Sequence, residues 1–140
     1  MRLTVTEYWD QQLAALRKRS VYPAHGTQAI RADRAGDPHK GIIDTTLFFP
    51  EEARLEVYER IEINEVGVVH RTQYSYHLRI AGEGVVRTDF DPDLPEDLSY
   101  HIQHPGGSGE WTHEPTERIT LVSFVDTLCW DYVSTYYDEE

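Results

Sequence analysis

The stretch Tyr74-Ser75-Tyr76-His77-Leu78-Arg79-Ile80-Ala81-Gly82-Glu83-Gly84-Val85-Val86-Arg87-Thr88-Asp89-Phe90-Asp91 decides the fold. From Tyr74 to Ile80, large apolar residues alternate with Ser75, His77 and Arg79. That period of two marks a strand with one buried face. A second strand follows the glycines, so the turn sets the pairing. A two-residue Gly82-Glu83 loop would set Arg87 opposite Leu78 and Asp89 opposite Tyr76, mixing charge into the apolar face. A three-residue Gly82-Glu83-Gly84 loop groups Val86, Thr88 and Phe90 with the apolar set and supplies glycine for the left-handed position. A one-residue slip moves every side chain to the other face, so the second register is preferred. It predicts His77 opposite Asp89 and Arg79 opposite Arg87. Two opposed arginines are unfavourable unless an anion or a carboxylate lies between them.

Working outward, Ile42 to Phe49 reads as a strand ended by Pro50. A second runs from Leu55 to Asn64, with Leu55, Val57, Glu59, Ile61 and Ile63 on one parity and Glu56, Tyr58, Arg60 and Glu62 on the other. Glu59 breaks the apolar parity, so it lies near an edge or finds a partner. Glu65-Val66-Gly67 turns the chain into a long strand from Val68 to Ile80, bulged near Thr72-Gln73, and Val85 to Phe90 completes a meander. From Asp91 to Pro115 the prolines and the Gly106-Gly107-Ser108-Gly109 run read as loop, with a short fifth strand around Tyr100–Gln103 at the sheet edge.

Both flanks read as helical. Thr4-Val5-Thr6-Glu7 carries cap-like residues, and Tyr8, Trp9, Leu13 and Leu16 follow at close to helical spacing, to about Arg19. Residues 20–40 form a connector with a weak helical pattern around Thr27–Ala35. At the other end, Thr116 is read as the cap of a last helix. Its stripe comprises Ile119, Val122, Phe124, Val125, Leu128, Cys129, Tyr132, Val133 and Tyr136. The apolar sheet face is the surface available to cover that stripe. The fold class is therefore α+β: an antiparallel meander of about four to five strands on a C-terminal helix, plus an N-terminal helix. At 140 residues, one domain is expected, with 1–40 as a basic helix and connector and 41–137 as sheet plus helix.

Charge is uneven. Residues 1–40 hold seven Lys/Arg and four Asp/Glu, a balance of +3, while residues 41–140 hold six and twenty-one, a balance of −15. An acidic body acting alone repels nucleic acid. Arg17, Lys18, Arg19, Arg31, Arg34 and Lys40 either grip phosphate or an acidic partner, or neutralise the body of their own chain. Cys129 is the single cysteine, which excludes an internal disulfide and fits a core thiol. No apolar run reaches a membrane span and no signal-peptide core is visible, so a cytoplasmic location is expected. Walker, nucleophile-elbow and zinc-ribbon patterns are absent, and no cofactor is implied.

Two constellations can carry chemistry. His77 and Asp89, in the preferred register, form a base and its orienter. Arg79 and Arg87 beside them would stabilise phosphate charge, and with Tyr74 or Tyr76 nearby the set could cleave RNA. The plainer reading is that Glu56, Glu62, Asp89 and Asp91 pair these arginines on a solvated sheet. The second constellation is His101-Ile102-Gln103-His104. Its histidines face opposite sides on a strand and converge on a turn, where His113, Asp91 and Glu110 could complete a metal set. No recognised ligand spacing appears. His70-Arg71 is a third, weaker pair within the long strand.

The succession Tyr74-Ser75-Tyr76-His77-Leu78, a glycine turn, Arg87-Thr88-Asp89, a histidine-containing loop and a C-terminal helix resembles the TumE-like toxins of toxin–antitoxin pairs. The resemblance spans roughly residues 50–137. It implies a small domain, usually encoded beside a helix-turn-helix antitoxin. In many members Arg-x-Asp is followed by Asn and a His-x-His-like segment. Here Phe90-Asp91 follows, and the histidines are spaced as His101-Ile102-Gln103-His104. Tyr76, Arg87, Asp89, His101 and His104 are the positions the resemblance carries over.

Taken together, the catalytic candidates are His77, Arg79, Arg87, Asp89 and Tyr76, and the binding candidates are His101, His104 and Arg71. The expected partners are an antitoxin, RNA and a second copy through a Trp130/Tyr137 flank. From a different class, an acidic non-catalytic binder (an inhibitor, immunity protein or nucleic-acid mimic) also fits the −15 balance.

Overall fold

A computed structural model of the chain describes residues 2–23, 29–33, 35–50, 52–93, 100–105, 111–115 and 119–138. Residues 32, 100–105, 111–115 and 135–138 are described by backbone alone. Helix α1, Val5–Arg17, opens as the sequence indicates. The Thr4 hydroxyl accepts from the Glu7 N–H, and the Glu7 carboxylate accepts from the Thr4 N–H. This reciprocal box satisfies two backbone donors that a helix start leaves open.

The strands follow as β1 (Tyr22–Pro23), β2 (Ile30–Ala32), β3 (Lys40–Phe48), β4 (Ala53–Ile63), β5 (Val69–Ile80), β6 (Glu83–Phe90), β7 (Tyr100–Pro105) and β8 (Trp111–Pro115). They form one antiparallel sheet of order β1-β3-β4-β5-β6-β7-β8, with β2 also on β3. The meander β3–β6 is the one expected from alternation, and β7 fills the place of the short fifth strand. Two readings are corrected. Within the weak helical pattern at Thr27–Ala35, Ile30–Ala32 is strand β2, because the β3 edge offers Ile30 and Arg31 backbone partners at Ile43 and Ile42; Thr27, Gln28 and Arg34 lie outside the described residues. The segment read as loop up to Pro115 contains β8, which closes a further hairpin on β7. The Gly106–Gly109 run lies outside the described residues.

The long strand carries its bulge where the sequence suggests it. Arg60 pairs Gln73 and Ile61 pairs Arg71, so Thr72 is the extra residue. The decisive hairpin differs from its expected form. The chain turns at Ala81-Gly82, both with positive φ (52° and 82°), as a type I′ turn requires. Ile80 then pairs Glu83, and Arg79 pairs Gly84. Leu78 pairs Val86, so Val85 bulges out. Tight turn and bulge together preserve the face of every later residue but shift the partners by two. His77 stands opposite Arg87 instead of Asp89, Ser75 opposite Asp89, and Arg79 opposite Gly84 instead of Arg87.

The C-terminal helix α2 is built from α-helical turns Leu121–Phe124 and Trp130–Asp138 joined by a π-helical turn, Val125–Cys129. Its cap is Thr120, whose hydroxyl accepts from the Ser123 N–H at 3.1 Å, so the helix begins later than a Thr116 cap would set it. Leu121, Val125, Cys129 and Val133 are all buried, a constant spacing of four. In an α-helix each four-residue step overshoots a full turn by about 40°. The wider i→i+5 turn absorbs that drift and keeps the stripe on the sheet.

Both helices cover one face of the sheet. Tyr74 stacks on Tyr76 at 5.0 Å, and Tyr76 on Phe124 of α2 at 5.9 Å. Trp130 packs edge-on against Phe49 at 5.2 Å, which draws it inward from the flank suggested as a dimer surface. Within this core lies Glu59, fully buried. The Tyr8 and Tyr76 hydroxyls both donate to its carboxylate. Arg71 donates to the Tyr76 oxygen at 2.9 Å and to the Ile119 carbonyl at 2.7 Å. The residue that broke the apolar parity thus found partners, and it binds α1, the sheet and the entry to α2 together. The basic N-terminal segment is tied to the acidic body by Arg19–Asp126 and Arg31–Asp44, each at 2.6 Å.

Candidate functional site

The other face of the sheet carries the polar parity of the strands. Reading across β3, β4, β5 and β6, partners line up in rows: Thr46–Glu56–His77–Arg87, and Asp44–Tyr58–Ser75–Asp89. The next strand continues them, with Gln103 opposite Arg87 and His101 opposite Asp89. A concavity of about 160 Å³ opens here, lined by Asp44, Glu56, Val57, Tyr58, Ser75, His77 and Arg87.

Around it the charges are organised by the strand period. Arg87 and Asp89 lie two residues apart and therefore share a face. The Asp89 carboxylate accepts from Arg87 Nε at 2.8 Å and from Nη2 at 3.0 Å, a two-point clamp that fixes the guanidinium plane. Arg79 Nε donates to Glu56 at 2.7 Å. The second Glu56 oxygen lies 3.9 Å from His77 Nδ1. His77 is largely buried. That burial, with the Arg79 charge, holds its imidazole below the ordinary histidine range; Glu56 pulls the other way, Arg87 adds to the lowering, and Asp89 opposes it. The ring is thus biased to the neutral form, the state in which an imidazole accepts a proton.

The structure therefore brings together His77, Arg79, Arg87 and Asp89, though with new pairings. The orienter expected at His77 is on Arg87, and the carboxylate beside His77 is Glu56. Tyr76 and Arg71 stand on the opposite face: Tyr76 is fully buried, and burial pushes its phenol well above the ordinary range. They belong to the Glu59 network and do not face the concavity. His101 and His104 lie on β7 at register positions opposite Asp89 and Thr112. Sequence reasoning singled out no role for Tyr58, Ser75 or Asp44 in this site. The signal was present, since Tyr58 shares the parity of Glu56, and Ser75 that of His77. Among the described residues no group of three or more His, Cys, Asp or Glu side chains converges as a metal set, and no helix is long and apolar enough to cross a membrane.

The family model described as Toxin TumE matches residues 18–135. No curated protein and no solved structure matches the chain. The family match takes in the meander, the Arg87-Thr88-Asp89 strand, the β7–β8 hairpin and nearly all of the C-terminal helix, and on that breadth the chain belongs to the TumE toxin family.

Proposed function

We propose that this toxin acts on RNA, with the open sheet face as its working surface. The observation that carries the reading is the set His77, Glu56 and the Arg87–Asp89 clamp around one concavity. A neutral imidazole is matched to base work near neutral pH. A guanidinium held by two bonds to a carboxylate meets a phosphate without reorganising, which favours charge that develops late.

The step consistent with these groups is an internal transesterification. His77 takes the proton of a ribose 2′-hydroxyl, and the 2′-oxygen bonds to the adjacent phosphorus. The bond to the 5′-oxygen breaks, leaving a 2′,3′-cyclic phosphate and a 5′-hydroxyl. Arg87 stabilises the charge on the phosphorane oxygens. The proton for the departing oxygen is assigned to His101, which the register sets opposite Asp89. An antitoxin partner would silence this action by covering or occupying the same face.

Induced expression in a bacterial host, with growth followed and cyclic-phosphate RNA ends mapped, tests the reading. The parent arrests growth and generates new ends. His77→Ala and Arg87→Ala relieve arrest, with cleavage reduced about a hundredfold or more. Parental arrest without such ends, no arrest by the parent, or equal arrest by the variants would each sink it.

A further inference from the structure

The outer face has a third row, one strand period beyond His77. It runs Tyr22–Phe48–Arg54–Arg79 across β1, β3, β4 and β5. Two features set it apart. Arg54 and Arg79 are direct cross-strand partners, so two like charges face each other. At the β1 end of the row, past Phe48, Tyr22 is half exposed on an edge strand, the one aromatic side chain so exposed among those whose side chains are described.

Each arginine is anchored by a neighbouring side chain, Arg54 from β3 and Arg79 from β4. The Arg54 guanidinium lies over the Phe48 ring, 4.2 Å from its centroid, and Nη1 donates to the Ala53 carbonyl at 2.9 Å. Arg79 uses Nε for its bond to Glu56. Two anchored guanidinium groups on directly paired residues are suited to receive one tetrahedral dianion or phosphodiester. An aromatic ring next to a phosphate receptor is the arrangement by which single strands are held without base pairing. The row lies two residues along β5 from His77, about 6–7 Å at 3.3 Å per residue. That is close to the phosphate-to-phosphate step of an extended single strand.

We propose that this row is a nucleotide subsite for single-stranded nucleic acid, adjacent to the reacting phosphate. Tyr22 takes a base. Arg54 and Arg79 take the neighbouring phosphate, and Phe48 is a positioning residue that keeps Arg54 flat. The proposal rests on the reading of the outer face as an RNA-cleaving surface, and it extends that reading from a single phosphate to a strand running along β5.

The test uses a fluorescently labelled 2′-O-methyl hexanucleotide, which lacks the attacking hydroxyl and so reports binding without turnover. A 2′-O-methyl dinucleotide, with one internal phosphate, serves as the short probe. Tyr22→Ser weakens hexanucleotide binding by roughly fivefold to a hundredfold, the range of one lost base stack. Arg54→Gln weakens it and lowers the salt slope by about one. Phe48→Leu, which keeps an apolar side chain in the strand, weakens it in the same direction as Arg54→Gln. Neither Tyr22→Ser nor Arg54→Gln changes dinucleotide binding, and both retain the parental thermal midpoint. Hexanucleotide binding that Arg87→Gln abolishes but Tyr22→Ser and Arg54→Gln leave intact overturns the subsite and keeps the reading beneath it. Equal losses for both probes also overturn it, since they report a general disturbance of the face. A parent that binds neither probe overturns both.

Discussion

Strands β4 and β5 stand at the centre of two sets of similar chemistry on opposite faces, completed by Tyr8 of α1 and by Arg87 and Asp89 of β6. The inner set is Glu59, Tyr8, Tyr76 and Arg71; the outer is Glu56, His77, Arg79, Arg87 and Asp89. Each has a carboxylate, a cation and a proton-bearing ring. The inner set is sealed beneath two helices, and its members spend their bonds on one another. In the outer set Glu56, His77 and Arg87 line a concavity, and the charges are held in the pairs Arg79–Glu56 and Arg87–Asp89. Residue type therefore does not separate structural polar groups from working ones. Access does distinguish the two faces: one set is dry and locks the core, while the other opens onto solvent.

The largest effect expected is on the dry side. Glu59→Ala leaves the two buried hydroxyls of Tyr8 and Tyr76 without their shared acceptor and the nearby Arg71 charge without its carboxylate. We expect a stability loss of about 3–5 kcal/mol, read as a lower urea midpoint at unchanged slope. Arg79→Gln, which removes the 2.7 Å bond to Glu56 on the wet side, costs less than about 1 kcal/mol in the same titration. Similar losses from the two substitutions would break the distinction.

A pH titration sharpens it, because the two faces act with opposite sign. Burial raises the Glu59 carboxyl above its ordinary range, against the hydrogen bonds from Tyr76 and Tyr8 and the Arg71 charge. Its contribution is complete below the unfolded carboxylate value and is lost as pH rises through the folded one. His77 is lowered, so its contribution is complete above about 6.5 and is lost as pH falls through the folded value. Urea midpoints measured across pH should show Glu59→Gln removing a decline toward high pH and His77→Gln removing a decline toward low pH. Both variants changing the same limb would contradict the assignment.

The smallest effect concerns the hairpin that joins the two faces. Ala81 holds φ of 52°, a conformation that favours Gly or Asn. Ala81→Asn restores the preferred residue pair of a type I′ turn and should stabilise by about 0.5–1 kcal/mol, seen as a raised thermal midpoint. A neutral or lower midpoint would show that the turn carries no strain.

That turn also explains which parts of the fold were legible. Alternation along Leu55–Asn64 and Val68–Ile80 fixed the faces, and Thr72 marked its own bulge, because side-chain parity is written directly in the residues. The partners across the hairpin were not written there. An alanine in a left-handed position and a bulge at Val85 cancel in parity, so two registers present the same apolar face, and the pairing of His77 with Asp89 was lost to the other one. Strand β8 was hidden because proline and glycine dominate its surroundings, while its pairing with β7 comes from backbone hydrogen bonds that composition does not record. Glu59 looked like a flaw in a strand and is the hub of the core. Its partners Tyr8 and Tyr76 are 51 and 17 residues away, beyond any local pattern.

The π-helical turn of α2 encloses Cys129, fully buried and the single thiol of the chain. Burial raises that thiol far above its ordinary range, so it is inert while the helix is seated. Its alkylation rate is therefore a clock for the lifting of α2 from the sheet. The native chain therefore carries its own reporter of how firmly the helix is held on the sheet.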